Sequence, residues 1–262
     1  MKKNFFIRKN VILIILVRLK SKRLPQKAKL KINKFSLIET LIKRLIRHFP
    51  KKQIYICTSN KEKDNYLKNI CEIYKVNFHR GDDKDIFKRI ITLRKKKYFD
   101  HFVRITGDNP FTDLSAIKVL VKNHLIGKFD YTYTNDLPVG TRSEIISYNA
   151  LKKANNLALD TKSSEYMTYF FKRSIFKILE LPFKKFIKKQ SLLNLSIDTL
   201  DQYLLLKKIL RNQNVFISRK KLINLCKTHK KMFHKISVKD ISLKNNKYDV
   251  RFKKNLSNRI LV

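Results

Sequence analysis

With 262 residues, 43% of them apolar, the chain can bury one substantial core. Its three cysteines, Cys57, Cys71 and Cys226, are far apart and odd in number, which excludes a disulfide framework and a CxxC metal site and makes a reducing cytoplasm the expected compartment. The formal net charge of +41 is mostly lysine spread along the whole chain, so it reads as solvated background, and no specific nucleic-acid partner is expected.

A basic N-terminal stretch precedes the apolar run 11–17 and mimics a signal peptide. The run is too short to span a bilayer, and Arg18, Lys20, Lys22 and Arg23 follow it where small residues would mark a cleavage site. A buried parallel strand accounts for it, and no membrane insertion is expected. Ser36 and Glu39 form a capping box ahead of an amphipathic helix carrying Leu37, Ile38, Leu41, Ile42, Leu45 and Ile46. A second strand follows at 54–57, and Ser59 with Glu62 is read as the box of another helix. Next come a short strand at 75–78, a loop at Gly81, a helix from about Asp85, and a strand at 102–105 that ends in Thr106-Gly107-Asp108. Asp113 can cap a helix bearing Ile117, Leu120, Val121 and Leu125. Further strands are predicted at 131–134, 143–147 and 193–197, and Thr199 with Gln202 makes a last capping box. Strands alternating with helices indicate an α/β fold with a largely parallel sheet. One domain is expected over 1–235, with 130–190 as a sugar-side or dimerisation subregion and 236–262 as a basic tail.

In such sheets ligands bind beyond the carboxyl ends of the strands, which singles out four loops. The first, residues 18–27, concentrates cations and a hydroxyl, suited either to a triphosphate or simply to a basic surface. The second, Arg80-Gly81-Asp82-Asp83-Lys84-Asp85, can bind a metal, cap a helix or contact a base or ribose. The third, Thr106-Gly107-Asp108-Asn109-Pro110, can place a carboxylate on Mg2+ or form a tight turn with a capping Asp. In the fourth, Asp198 ends an apolar strand. Of four glycines, Gly81, Gly107 and Gly140 fall in these loops or the sugar-facing one. No GxGxxG, GxxxxGK[ST] or GxSxG occurs, and the six histidines lack zinc-site spacing.

Together the loops resemble the cytidylyltransferases that make CMP-activated acidic sugars, in particular the branch described as spore-coat polysaccharide biosynthesis cytidylyltransferase-like. The Arg-x-x-Ser-x-Arg-Leu-Pro-x-Lys element is present as Arg18, Ser21, Arg23, Leu24, Pro25 and Lys27. Residues 80–85 resemble an Arg-Gly-Ser-x-x-Asp element, 103–110 a Val-Arg-Ile-Thr-Gly-Asp-x-Pro element, and Ile197-Asp198-Thr199 a late Val-Asp-Thr element. Order and spacing agree across about residues 11–235. The chain departs from the pattern at Lys20 and Gln26, where glycines are usual, at Arg142, where Asp is common, and at Tyr166, where His is usual in a Glu-His-x-Thr element.

The resemblance implies a three-layer α/β/α glycosyltransferase-A-type nucleotide-binding fold with a mostly parallel mixed sheet, in a homodimer. It implies CTP and an acidic sugar as substrates, a CMP-sugar and pyrophosphate as products, and Mg2+ as cofactor. By the same resemblance Arg18, Ser21, Arg23 and Lys27 hold the triphosphate, and Arg80, Gly81, Asp82, Asp85, Thr106 and Gly107 lie along the nucleotide. Asp108 and Asp198 are metal ligands, Arg18, Lys27 and Asp108 carry the chemistry, and Gly140 and Glu144 face the sugar. Two other readings are a glycosyltransferase of the same fold that uses Asp83-Lys84-Asp85 as a metal-binding Asp-x-Asp, and a basic nucleic-acid-binding protein.

Overall fold

A computed structural model describes Phe6 and residues 9–21, 23–161, 164–183 and 193–229. The expected tail at 236–262 lies outside the described residues. Strand β1 (Val11–Leu16) has six consecutive buried residues because helices cover both faces of the sheet. Val11, Leu13 and Ile15 pack with α1 (Leu37–His48), α2 (Asn65–Tyr74) and α4 (Leu114–Ile126), while Ile12, Ile14 and Leu16 pack with α3 (Ile86–Lys96) and α5 (Tyr148–Leu157). The expected three-layer α/β/α arrangement is therefore present.

The main sheet has seven strands. On one side of β1 lie β4 (Ile54–Ser59) and then β5 (Asn77–Gly81), and on the other β6 (His101–Thr106), all parallel. Beyond β6 the sheet turns mixed: β8 (Glu144–Ser147) is antiparallel to β6, β7 (Tyr131–Tyr133) antiparallel to β8, and β9 (Ile178–Glu180) parallel to β7. The chain moves outward from β1 to β4 and β5, then returns to add β6 on the opposite side. That reversal opens a crevice between the loops leaving β1 and β6, where open α/β sheets receive ligands. A small hairpin of β2 (Lys31–Ile32) and β3 (Phe35–Ser36) precedes α1. A third apolar cluster joins α6 (Leu200–Ile209) and α7 (Arg219–Thr228) to Leu24, Leu37 and Phe111.

The capping boxes Ser36/Glu39 and Thr199/Gln202 both form, and Asp113 caps α4 through the amides of Ser115 and Ala116. The Ser59/Glu62 box does not. Ser59 Oγ instead donates to Asp64 Oδ2 at 2.6 Å, Glu62–Asp64 wind as a 3-10 turn, and α2 starts at Asn65. The strand expected at 193–197 is reduced to one isolated bridge, Asn194 with Val139. Its alternating Leu193, Leu195 and Ile197 are buried against α6 and α7 outside the main sheet, which accounts for the strand-like pattern. Conversely, β9 falls in a stretch without apolar periodicity, because all three of its residues are partly or fully exposed at the sheet edge. No helix among the described residues is long and apolar enough to cross a membrane.

Candidate active site

The loop after β1 is tied down before any cation is placed. Asp64 is fully buried, its Oδ1 accepts the Leu19 amide at 2.9 Å, and its Oδ2 accepts the hydroxyls of Thr58 at 2.7 Å and Ser59 at 2.6 Å. A buried carboxylate is tolerated when its lone pairs are filled in this way. Burial works to raise its pKa, yet these hydrogen bonds hold it below the ordinary carboxylate range. Farther along, the Gln26 amide donates back to Leu19 O at 3.3 Å, and Gln26 adopts φ 51°, the left-handed region that glycine enters without cost. The departure from glycine at this position is therefore a strained one. Lys27 follows, opening a single 3-10 turn.

At the end of β6, Gly107 N donates to Leu16 O at 2.9 Å, and a Cβ on Gly107 would stand 2.6 Å from Val17 Cβ. Only glycine lets the two strand exits run this close. Asp108 comes next, and its carbonyl accepts the Ile197 amide at 3.1 Å, which brings Asp198 alongside although it is ninety positions away in sequence. Gln202 Oε1 accepts the Asp198 amide at 2.7 Å, setting this residue at the start of α6.

Three loops thus converge on one ammonium. Lys27 Nζ donates to Asp108 Oδ2 at 2.7 Å and to Asp198 Oδ1 at 2.8 Å, and Arg23 Nη2 reaches the same Asp198 oxygen at 2.9 Å. Burial disfavours the Lys27 charge, but the two carboxylates and their hydrogen bonds outweigh it and raise its pKa above the ordinary lysine value. Burial likewise pushes the Asp198 pKa upward, and Lys27 and Arg23 more than reverse that. The surrounding cleft measures about 770 Å3. Arg18, Ser21, Arg23, Lys27, Thr106, Gly107, Asp108 and Asp198, all singled out from the sequence, line it together.

The remaining sequence candidates sit elsewhere. Arg80 donates to Asn60 O and Lys61 O at 3.3 and 3.4 Å and pairs with Asn65 Oδ1. Gly81 packs on Arg89, and Asp82 Oδ1 accepts the amides of Lys84 and Asp85. Asp85, 2% exposed, caps α3 through the Lys88 amide and accepts the Thr161 hydroxyl. Its neighbour Asp83 faces Arg18 instead, so the Asp-x-Asp pair does not converge. Gly140 has φ +85°, and a Cβ there would stand 2.1 Å from the Ser196 amide nitrogen, so this glycine seats the segment leading to Asp198. Glu144 is the cross-strand partner of Arg104, with Nη1 donating to Oε2 at 3.1 Å, and Arg104 lines the cleft. Arg142 donates to its own loop at Leu137 O and Asn135 Oδ1. The side chains of Glu165 and Tyr166 lie outside the described residues.

Asp64, Arg89 and Arg104 were not among the candidates, and Asp83 and Lys84, which line the cleft, were considered only as part of the Asp-x-Asp. Arg89, 1% exposed, donates to Asp82 O from Nε at 2.9 Å and Nη2 at 2.6 Å and so supports the 82–84 turn from behind. Its signal was a cation on the apolar stripe of α3 with Ile86, Ile90 and Leu93, just as Arg104 interrupts an apolar strand. Nothing local marks Asp64, whose contact with Leu19 spans 45 positions.

Residues 12–248 match the family described as Cytidylyltransferase. The chain belongs to that family. It is 33% identical over 195 residues to the uncharacterized protein MJ1063 of Methanocaldococcus jannaschii, covering 74% of this chain and 80% of that one. It is 28% identical over 203 residues to the spore coat polysaccharide biosynthesis protein SpsF of Bacillus subtilis, covering 74% of this chain and 83% of that protein. A solved cytidylyltransferase from Leptospira borgpetersenii shares its fold with a TM-score of 0.77 at 22% identity, covering 92% of this chain and 99% of the other. The fold is thus the mixed, largely parallel nucleotide-binding sheet expected of a glycosyltransferase-A-type cytidylyltransferase.

Proposed function

We propose that this cytidylyltransferase joins the cytidine monophosphate part of CTP to a hydroxyl of an acidic sugar and releases pyrophosphate, in the synthesis of a surface polysaccharide. The observation that carries the reading is the Lys27 clasp on Asp108 and Asp198, set in a cationic cleft at the sheet's switch point. The acceptor oxygen bonds to the α-phosphorus as that phosphorus loses its bond to the bridging oxygen of pyrophosphate. Such a transfer needs positioning and charge neutralisation more than covalent help from the protein. Arg18, Ser21 and Arg23 hold the triphosphate, and Lys27 neutralises the departing pyrophosphate. The acceptor lies toward Arg104 and Glu144. Kinship with a spore coat polysaccharide protein supports the polysaccharide role.

Asp108 and Asp198 suit Mg2+. Both are hard oxygen donors, and both already point at one cation. No cluster of three or more metal-binding side chains occurs among the described residues, in keeping with a metal that takes one or two carboxylates and completes its shell with phosphates and water. When bound there, Mg2+ supplies Lewis-acid polarisation and neutralises phosphate charge. A glycosyltransferase using Asp83 and Asp85 is disfavoured because Asp85 is committed to capping α3.

The test is pyrophosphate release with each of the four ribonucleoside triphosphates across a panel of acidic and neutral sugars with Mg2+, with products identified by mass spectrometry. The expected outcome is a CMP-sugar formed from CTP and an acidic sugar. Preference for another triphosphate, or turnover of nucleotide-sugars in place of CTP, would sink the proposal.

A further inference from the structure

We propose that Lys27 is a displaceable internal counter-ion that excludes a divalent metal from Asp108 and Asp198 until a triphosphate draws it away. The inference rests on the assignment of those carboxylates as metal ligands made above. Lys27 Nζ contacts Asp108 Oδ2 and Asp198 Oδ1 directly, at 2.7 and 2.8 Å, and its side chain is only 16% exposed. A divalent ion bound to the same two oxygens cannot coexist with an ammonium already hydrogen-bonded to both. Nor can the ammonium simply retreat, since a poorly solvated charge that loses its partners carries a large penalty.

The cleft offers Lys27 one other kind of partner, an anion bound among Arg18, Ser21 and Arg23. The β- and γ-phosphates of a triphosphate provide that, and a monophosphate does not. Lys27 stands at the start of a single 3-10 turn, so rotation about its own side-chain bonds is enough to move Nζ. Asp198 does not lose all compensation when Lys27 leaves, because Arg23 Nη2 still meets Oδ1 at 2.9 Å. Asp108 and Asp198 stay in register through the Ile197 amide on Asp108 O. Metal and triphosphate then reinforce each other's binding, and linkage makes the effect reciprocal. The full chain therefore has little affinity for the free metal.

The probe is Mn2+, with protein-bound metal read by water-proton relaxation enhancement and by the metal-dependent rise in melting temperature. Without nucleotide, Lys27→Met is expected to bind Mn2+ at least tenfold more tightly than wild type and to gain more thermal stability from it. Lys27→Arg, which keeps the cation, should stay within threefold of wild type, and Lys27→Gln repeats the Met test with a polar side chain. In wild type, CTP should tighten Mn2+ at least tenfold and CMP by less than threefold. If the Met and Gln variants bind free Mn2+ no better than wild type, while Asp108→Asn still abolishes the binding seen with CTP, the counter-ion role falls and the metal site stands. If Mn2+ binding with CTP is indifferent to Asp108→Asn, both fall.

Discussion

The two halves of the sheet are built by different means. Between β1, β4 and β6, where we propose that the nucleotide binds, long parallel ladders and a glycine contact between strand exits do the positioning, with one buried carboxylate holding the loop. Beyond β6, β7, β8 and β9 are three, four and three residues long, and side chains carry the order, through Arg104 on Glu144, Arg142 on its own loop, and Tyr133 and Asn135 on Glu180. Backbone geometry survives most substitutions and side-chain pairs do not. On the proposed function, such a molecule can change its acceptor while keeping its way of holding a triphosphate. Arg142, which makes one of these pairings, is also a position at which the chain departs from the pattern it resembles.

The sharpest test of the contrast is the carboxylate pair. Asp108→Asn or Asp198→Asn should each lower turnover by about a hundredfold or more, roughly 3 kcal/mol of transition-state stabilisation, with the fold retained. Full Mg2+-dependent activity in either variant would remove that residue from the site. Asp64→Ala should come next. It leaves the Leu19 amide and two hydroxyls without their acceptor, at a cost of about 2–3 kcal/mol in denaturant unfolding. It should weaken CTP while leaving the KM for the acceptor nearly unchanged, and an equal loss for both substrates would mean that Asp64 only stabilises the fold. Glu144→Gln should do the reverse, raising the acceptor KM about tenfold with CTP binding intact, roughly 1.4 kcal/mol. Equal effects on both substrates would erase the distinction between the halves.

The halves should also titrate differently. Away from the cleft, His124 is fully buried, with Nε2 on His101 Nδ1 at 3.1 Å and Nδ1 on Thr132 Oγ1 at 2.9 Å. Burial, and to a lesser degree the neighbouring His101, depresses its pKa to about 3. A depressed imidazole means that the unfolded chain takes up the proton first. The stabilisation is complete above the unfolded value near 6.5 and is lost progressively as pH falls from there toward 3. Between pH 6.5 and 5 the unfolding free energy should drop by about 1–2 kcal/mol, and His124→Gln should flatten that slope. Asp64 and Asp198, both depressed, lose their contributions only below the ordinary carboxylate range, so acid should loosen the far end of β6 before the cleft. The smallest effect belongs to Gln26→Gly, which relieves a left-handed residue at some cost in chain entropy, for a net gain of about 0.5 kcal/mol readable as a slightly raised Tm.

What could be read from the sequence was whatever is encoded locally. A six-residue apolar run names a strand covered on both faces, Ser36/Glu39 and Thr199/Gln202 name helix starts, and Asp108 and Asp198 stand out where strand-like patterns end. Loop 18–27 was legible as cationic, but nothing local says that distant carboxylates close on Lys27. Ser59 misled because its hydroxyl had a stronger acceptor in Asp64 than the helix it was expected to cap. The alternation at 193–197 was real, yet it records burial against α6 and α7 and not membership of the main sheet. In residues 80–85 the acidic character was visible, but nothing local says that Asp85 turns inward to Thr161 while Asp83 turns outward to Arg18.

The amide of Ile197 on the carbonyl of Asp108 has a consequence for how the protein comes into being. Synthesis runs from the N-terminus, so the ribosome delivers loop 18–27 and Asp108 long before Asp198 emerges. A nascent chain at that stage carries Lys27 and only one of the two carboxylates that close on it. The clasp on Lys27 closes only when the segment packed on Gly140 docks and the start of α6 sets Asp198 in place.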